Sequence, residues 1–72
     1  MFLNVYQGQQ YSYSLEVETG HFLLFKNDYK SHAYLQGDDA RLFREEIDRI
    51  DNLPPPQSND GRITENLISN YL

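Results

Sequence analysis

The chain has 72 residues and no cysteine, and its 11 acidic against 6 basic side chains give a formal net charge of −5. Disulfides and thiolate metal sites are therefore excluded, and direct binding to nucleic acid is disfavoured because phosphates are also negative. No apolar run reaches the roughly 20 residues that span a bilayer, and no signal peptide is visible. We expect one small cytoplasmic domain without a cofactor, stabilised by good packing or by dimerisation.

Residues 1–36 are predicted to form an antiparallel β-meander of three or four strands. Residues 1–6 are apolar enough for a first strand, and residues 7–9 turn the chain back. In residues 10–18 one side of a strand carries Tyr11, Tyr13, Leu15 and Val17, and the other carries Ser12, Ser14, Glu16 and Glu18. This period of two predicts a strand with its tyrosine side in the core. Thr19 and Gly20 supply the next turn.

The next strand, residues 21–26, is apolar on both sides, which predicts a central strand covered on both faces. A turn of two to four residues within 27–30 leads to a last strand over residues 31–36. There Ala33 and Leu35 point one way, and His32, Tyr34 and Gln36 point the other way.

A helix is predicted over residues 38–53, with Asp38 or Asp39 as its N-cap. One helix face collects Ala40, Phe43, Ile47 and Ile50, with Leu42 and Leu53 on its flank. The opposite face carries three pairs of opposite charge at i,i+4 spacing, which are Arg41–Glu45, Arg44–Asp48 and Glu45–Arg49. An amphipathic helix of this kind is expected to lie across one face of the sheet.

A proline-rich hinge over residues 54–60 follows, and residues 61–72 predict a short amphipathic helix capped by Asn59 or Asp60. Its apolar contact residues are Ile63, Leu67, Ile68 and Tyr71. Three surfaces are open to so short a helix: the sheet face left bare by the first helix, the same helix of a second subunit, or a foreign partner. The fold class is thus α+β in a single domain.

No catalytic or metal site is expected from these residues. Asp38 and Asp39 are better explained as helix caps than as an acid–base pair. A two-residue turn would place His21 and His32 as diagonal neighbours on one sheet face, and a three-residue turn would place them on opposite faces. Neither arrangement supplies an obvious third ligand for a metal ion. With no catalytic constellation either, an enzyme is not expected.

Contact with a protein is the expected role. Tyr29, His32 and Tyr34 are hard to bury and form a candidate contact patch, since tyrosine gives amphipathic contact area at low entropic cost. The candidate acidic contacts for a basic partner are Glu16, Glu18, Asp39, Glu45, Glu46 and Asp48, with Asp38 and Asp51 beside them. Their acidity is explained either by imitation of nucleic acid or by solubility alone.

The segment GDDARLFREEIDRI, residues 37–50, resembles a segment of short open reading frames from bacteriophages and prophages. The resemblance implies an accessory protein of a phage or mobile element. Such small acidic proteins often bind and block host machinery, as anti-CRISPR and anti-restriction proteins do. The leading hypothesis is therefore an inhibitor that occupies a basic, nucleic-acid-handling surface of a host protein. The alternative is a homo-oligomeric subunit that assembles through the C-terminal helix.

Overall fold

The computed structural model describes residues 1–53 and 61–72, so the predicted hinge at 54–60 lies outside the described residues. The elements in chain order are β1 Phe2–Gln7, β2 Tyr11–Glu16, β3 His21–Lys26, β4 His32–Leu35, α1 Asp38–Asp51 and α2 Arg62–Ser69. The strands form one antiparallel sheet in the order β1-β2-β3-β4. The predicted α+β fold, a meander followed by an amphipathic helix, is confirmed.

One face of the sheet forms the core together with both helices. Tyr13, Phe22, Leu24 and Leu35 are buried on this side. The prediction that Tyr13 faces the core is confirmed, whereas Val17 is exposed because β2 already ends at Glu16. Burial raises the pKa of the Tyr13 hydroxyl to about 12, and the nearby carboxylates Asp51 and Asp48 add to that rise. The hydroxyl therefore stays protonated in a site with little water.

The other side of β2 was predicted to face solvent, and this prediction is wrong for its two serines. Ser12 is only 1% exposed and Ser14 only 8% exposed. Because β2 lies inside the sheet, each serine has larger cross-strand partners on both sides, Asn4 and Leu23 for Ser14 and Gln7 and Phe25 for Ser12. The Ser12 hydroxyl donates a hydrogen bond to Oδ1 of Asn27 at 2.7 Å, and Nδ2 of Asn27 donates to the Gly8 carbonyl at 2.9 Å. The Asn27 side chain thus links Ser12 of β2 to the β1–β2 turn.

The helix α1 packs its apolar face on the sheet as predicted. Ala40, Phe43 and Ile50 are buried. The Phe43 ring lies 5.1 Å from the ring of Tyr13 and 5.0 Å from that of Phe22. Contacts between tilted aromatic rings at this distance stabilise a core beyond the area that they bury.

The predicted cap of α1 is wrong. The N-cap is Gly37, at φ 61°, and no side chain makes a capping hydrogen bond there. Glycine enters this left-handed region without steric cost, so the chain turns at Gly37 and Asp38 and Asp39 already belong to the first helical turn. The two carboxylates still interact favourably with the positive end of the helix dipole.

The predicted charge pairs of α1 form in part. Arg41 bonds Glu45 at 3.0 Å as predicted. Arg49 was predicted to pair with Glu45 but instead forms an ion pair with Glu46 at 2.6 Å. The predicted pair of Arg44 with Asp48 is not among the ion pairs of residues 1–53 and 61–72. A Cβ atom added to Gly20 would lie 3.4 Å from Nη2 of Arg44, so this guanidinium lies beside the β2–β3 turn.

The helix α2 docks on its own chain, beside α1 on the same sheet face and not on the face left bare. Its inward side buries Thr64 and Ile68, and the Tyr71 ring lies 5.8 Å from that of Phe43. Leu67 is partly buried against the same core, whereas Ile63 is exposed. The helix is shorter than the predicted residues 61–72 and begins after an N-cap at Gly61; the predicted caps lie outside the described residues.

Polar contacts fix α2 against the β1–β2 turn. Oε1 of Glu65 accepts hydrogen bonds from the amides of Gln10 at 2.7 Å and Tyr11 at 3.1 Å. The Tyr6 hydroxyl donates to the carbonyl of Gly61 at 3.1 Å. A Cβ atom at Gly8 would lie 2.7 Å from both the Tyr11 carbonyl oxygen and Oε1 of Glu65. The close approach of α2 to this turn therefore requires glycine at position 8.

A candidate binding surface on the open face of the sheet

The side of the sheet opposite the helices carries a continuous aromatic and apolar surface. We call it the open face, and its residues are Phe2, Leu23, Phe25, Tyr29, His32 and Tyr34. The prediction that residues 21–26 are covered on both faces is wrong, because α1 and α2 lie on the same side. Leu23 and Phe25 are consequently left partly exposed.

At one end of the open face, aromatic rings meet across the inner strands. The Phe2 ring on β1 lies 6.4 Å from the Tyr34 ring on β4, at an interplanar angle of 73°. The His21 ring packs edge-on against Tyr34 at 5.5 Å, and Nδ1 of His21 is hydrogen-bonded to the Tyr34 hydroxyl at 2.8 Å. These contacts hold Tyr34 in place although it is 44% exposed, so it presents a fixed ring to solvent.

At the other end, a groove of about 500 Å³ is lined by Leu23, Phe25, Tyr29 and His32. Tyr29 belongs to the β3–β4 loop, residues 27–31, and is 79% exposed. Its ring stacks on Phe25 with centroids 5.7 Å apart and planes 13° apart. The groove is thus walled by a tyrosine that is positioned by stacking but faces solvent.

The backbone of Tyr29 is strained. Its φ of 62° lies in the left-handed region, where the other described positive values belong to glycines, and a non-glycine residue there costs about 1–3 kcal/mol. Local hydrogen bonds hold the loop in this shape: the Tyr29 amide donates to the Lys26 carbonyl at 2.8 Å, and the Lys26 amide donates to the Ser31 carbonyl at 2.9 Å. Strain of this size concentrates at functional positions.

The two histidines lie on the same side of the sheet but far apart. The sheet register pairs Phe25 with His32, and His21 lies four residues before Phe25 along β3, which corresponds to about 13 Å. The loop between the strands has five residues, 27–31, so neither predicted turn length holds. In residues 1–53 and 61–72 no group of three His, Asp or Glu side chains is placed to hold a metal ion.

The predicted acidic contacts fall into two groups on different sides of the molecule. Glu16 and Glu18 lie at the end of β2, where the Met1 amino group is 2.7 Å from Glu16. Hydrogen bonds from that amine and from the Glu18 amide lower the pKa of Glu16. The remaining predicted acids, all on α1, are Asp39, Glu45, Glu46 and Asp48. Because α1 covers the opposite sheet face, the structure does not bring them together with Tyr29, His32 and Tyr34.

Three members of the open face, Phe2, Leu23 and Phe25, were not predicted as contact residues. The sequence carries a signal for two of them, because residues 21–26 are apolar on both sides. The apolar residues on both sides of this strand were interpreted as a strand covered on both faces, whereas one of the two sides forms the exposed open face. Phe2 gives no such signal, since its position depends on a ring contact with Tyr34, 32 residues later in the chain.

Comparison of the chain with protein-family models, with curated proteins and with solved structures gives no match. Among the described residues, no helix has the length and apolar character needed to cross a membrane.

Proposed function

We propose that this chain is a small, non-enzymatic protein-binding module and that the open face is its contact surface. The observation that carries the proposal is Tyr29, an aromatic residue that is 79% exposed and held at a positive φ. Tyrosine is enriched at the energetic centres of protein interfaces. Stacking on Phe25 offsets only part of the cost of the strained backbone, and contact with a partner supplies a reason for keeping this tyrosine in solvent.

The proposed partner is a cellular protein with an apolar patch surrounded by basic residues. The centre of the open face is aromatic and uncharged, as the centre of a protein interface usually is. Exposed carboxylates lie near its ends, Glu18 after β2 and Asp28 in the β3–β4 loop, and the chain as a whole carries a charge of −5. With the resemblance of residues 37–50 to phage proteins, this favours an inhibitor of a host protein that handles nucleic acid.

The acidic surface of α1 has less support as the main contact. Glu45 is paired with Arg41, and Glu46 is paired with Arg49, so part of its charge is neutralised within the helix. Self-assembly through α2 also has less support, because Thr64 and Ile68 are already buried on the chain's own sheet. Both surfaces serve below as controls.

Removing two exposed tyrosines is expected to abolish partner capture without unfolding the domain. We predict that the double variant Tyr29→Ala/Tyr34→Ala loses at least about tenfold in binding, since tyrosine is enriched among the interface residues whose truncation costs about 2 kcal/mol or more. The matched control is Leu42→Ala/Ile63→Ala, which removes two exposed apolar side chains from the helices. The measurement is quantitative capture of proteins from host lysate by each chain, with folding checked by circular dichroism.

The control decides between the surfaces. Proteins lost by the tyrosine variant but retained by the helix variant support the open face, and the reverse pattern contradicts it. A steep fall in capture from low to high salt is expected if basic residues surround the partner's apolar patch. Binding that salt leaves unchanged would contradict the basic partner while leaving the open face in place.

A further inference from the structure

We propose that two copies of this chain pair antiparallel along β1, so that their four-stranded sheets join into one continuous sheet. Within residues 1–53 and 61–72, β1 is an edge strand of the sheet with β2 as its one neighbouring strand. Its side chains are exposed except for Tyr6, and Phe2, Leu3 and Val5 are among the exposed large apolar residues of the protein. An apolar edge strand of this length is a template for pairing with another strand.

The first half of the strand, residues 2–4, lacks the usual protection against such pairing. Natural edge strands are blunted by lysine, proline, inward-pointing charge or shortness. β1 is six residues long, FLNVYQ, and contains no charged residue and no proline. A bulge between Asn4 and Tyr6 protects the second half of the strand, because a bulge twists an edge away, but it leaves the first half regular. β4, at the other edge, has only four residues.

The backbone of the first half of β1 directs free hydrogen-bonding groups outward. The Met1 carbonyl accepts a hydrogen bond from the Val17 amide at 3.0 Å. This bond shows which residues of β1 direct their backbone groups towards β2. Residues along an antiparallel strand point their backbone groups alternately to one neighbour and to the other. Leu3 therefore points to β2, and the amides and carbonyls of Phe2 and Asn4 point to the uncovered side.

These groups match a second copy of the same strand. With a two-fold axis at Leu3, Phe2 of one copy lies opposite Asn4 of the other, and Asn4 lies opposite Phe2. Both pairs then exchange hydrogen bonds, as a self-complementary interface of this symmetry requires. Leu3 faces its own symmetry mate as a close, non-hydrogen-bonded pair, and two exposed leucines become buried against each other.

The charge distribution makes β1 a better site for contact between two copies than the acidic surface of α1. Two chains of −5 repel each other, and six of the 11 acidic residues lie within α1. Pairing along β1 places no like charges directly across the interface, because the strand is uncharged. A domain of this size also buries little apolar surface alone, and association adds to it. The paired sheets would present two open faces on the same side, so a partner that itself has two matching sites would be bound bivalently.

A single introduced cysteine tests the pairing directly, because the natural chain has none. In a close antiparallel pair the two Cα atoms are about 4.5 Å apart, which is within the range for a disulfide. We expect oxidised Leu3→Cys to form a covalent dimer at least about tenfold faster than Leu42→Cys, the control on α1 with similar exposure. Equal rates for the two variants would overturn the proposal.

Sedimentation equilibrium of the untagged chain gives the second readout. We expect a concentration-dependent dimer that Leu3→Lys weakens at least about tenfold, since it places two positive charges on the axis, and that Leu42→Lys leaves unchanged. A wild-type monomer at every concentration up to about 200 μM would overturn the pairing, because association this weak does not mark a specific interface. The variant Tyr29→Ala/Tyr34→Ala is expected to dimerise normally, so failure of this inference and failure of the proposed function are distinguishable.

Discussion

Replacing Phe43 with alanine is expected to destabilise the domain by about 3–5 kcal/mol. Phe43 is fully buried, and its ring contacts those of Tyr13, Phe22 and Tyr71 at centroid distances from 5.0 to 5.8 Å. It is therefore the residue where the sheet, α1 and α2 meet. Since small domains have total stabilities near the lower end of about 5–15 kcal/mol, the variant should retain no more than about 2 kcal/mol and should unfold on modest heating or in little urea.

The measurement is urea unfolding followed by far-ultraviolet circular dichroism. The control is Leu42→Ala on the same helix, where the side chain is 46% exposed; a surface change of this kind is expected to shift stability by no more than about 0.5–1 kcal/mol. If Phe43→Ala unfolds at nearly the same urea concentration as the wild type, the packing of α1 on the sheet described above is incorrect.

Replacing Tyr29 with glycine is expected to separate stability from binding. Three effects on stability nearly cancel: relief of the left-handed backbone gains about 1–2 kcal/mol, the freedom of glycine costs about 0.5–1 kcal/mol, and loss of the stacking on Phe25 costs about 0.5–1.5 kcal/mol. The free energy of unfolding should therefore change by less than about 1 kcal/mol. Partner binding should fall at least about tenfold, because the exposed ring is removed.

The paired measurement is urea unfolding and partner capture by the same protein preparation. The matched variant is Tyr29→Phe, which keeps the ring and its stacking and removes only the hydroxyl, and it should keep most of the binding. Loss of binding in both variants would indicate that the hydroxyl and not the ring makes the contact. Full binding by Tyr29→Gly would contradict a role for this residue.

Patterns that depend on neighbouring residues were predicted well. The alternation in residues 10–18 and the helical spacing of Ala40, Phe43 and Ile50 predicted the strand, the helix and their buried sides, because a core-facing side repeats with the period of the element. The N-cap of α1 failed for an equally local reason. A glycine that takes a positive φ satisfies the turn before the helix, so the aspartates after it are not needed as caps.

Contacts between distant parts of the chain could not be predicted. Nothing in the tail sequence indicates which sheet face α2 covers, and the anchoring of Glu65 on the amides of Gln10 and Tyr11 joins residues more than 50 positions apart. The open face results directly from this packing, because α2 lies beside α1 and leaves the other side of the sheet exposed. The five-residue loop and the positive φ of Tyr29 likewise follow from hydrogen bonds that the sequence does not specify.

The open face as the contact surface is tested most directly by footprinting the chain with and without its captured partner. Tyrosine iodination reports on Tyr29 and Tyr34, and carbodiimide labelling reports on the exposed carboxylates Asp39 and Asp48 of α1. We predict that the partner protects both tyrosines while the two carboxylates keep their reactivity. Protected carboxylates on α1 beside fully reactive tyrosines would contradict the proposal and place the partner on the helical side of the molecule.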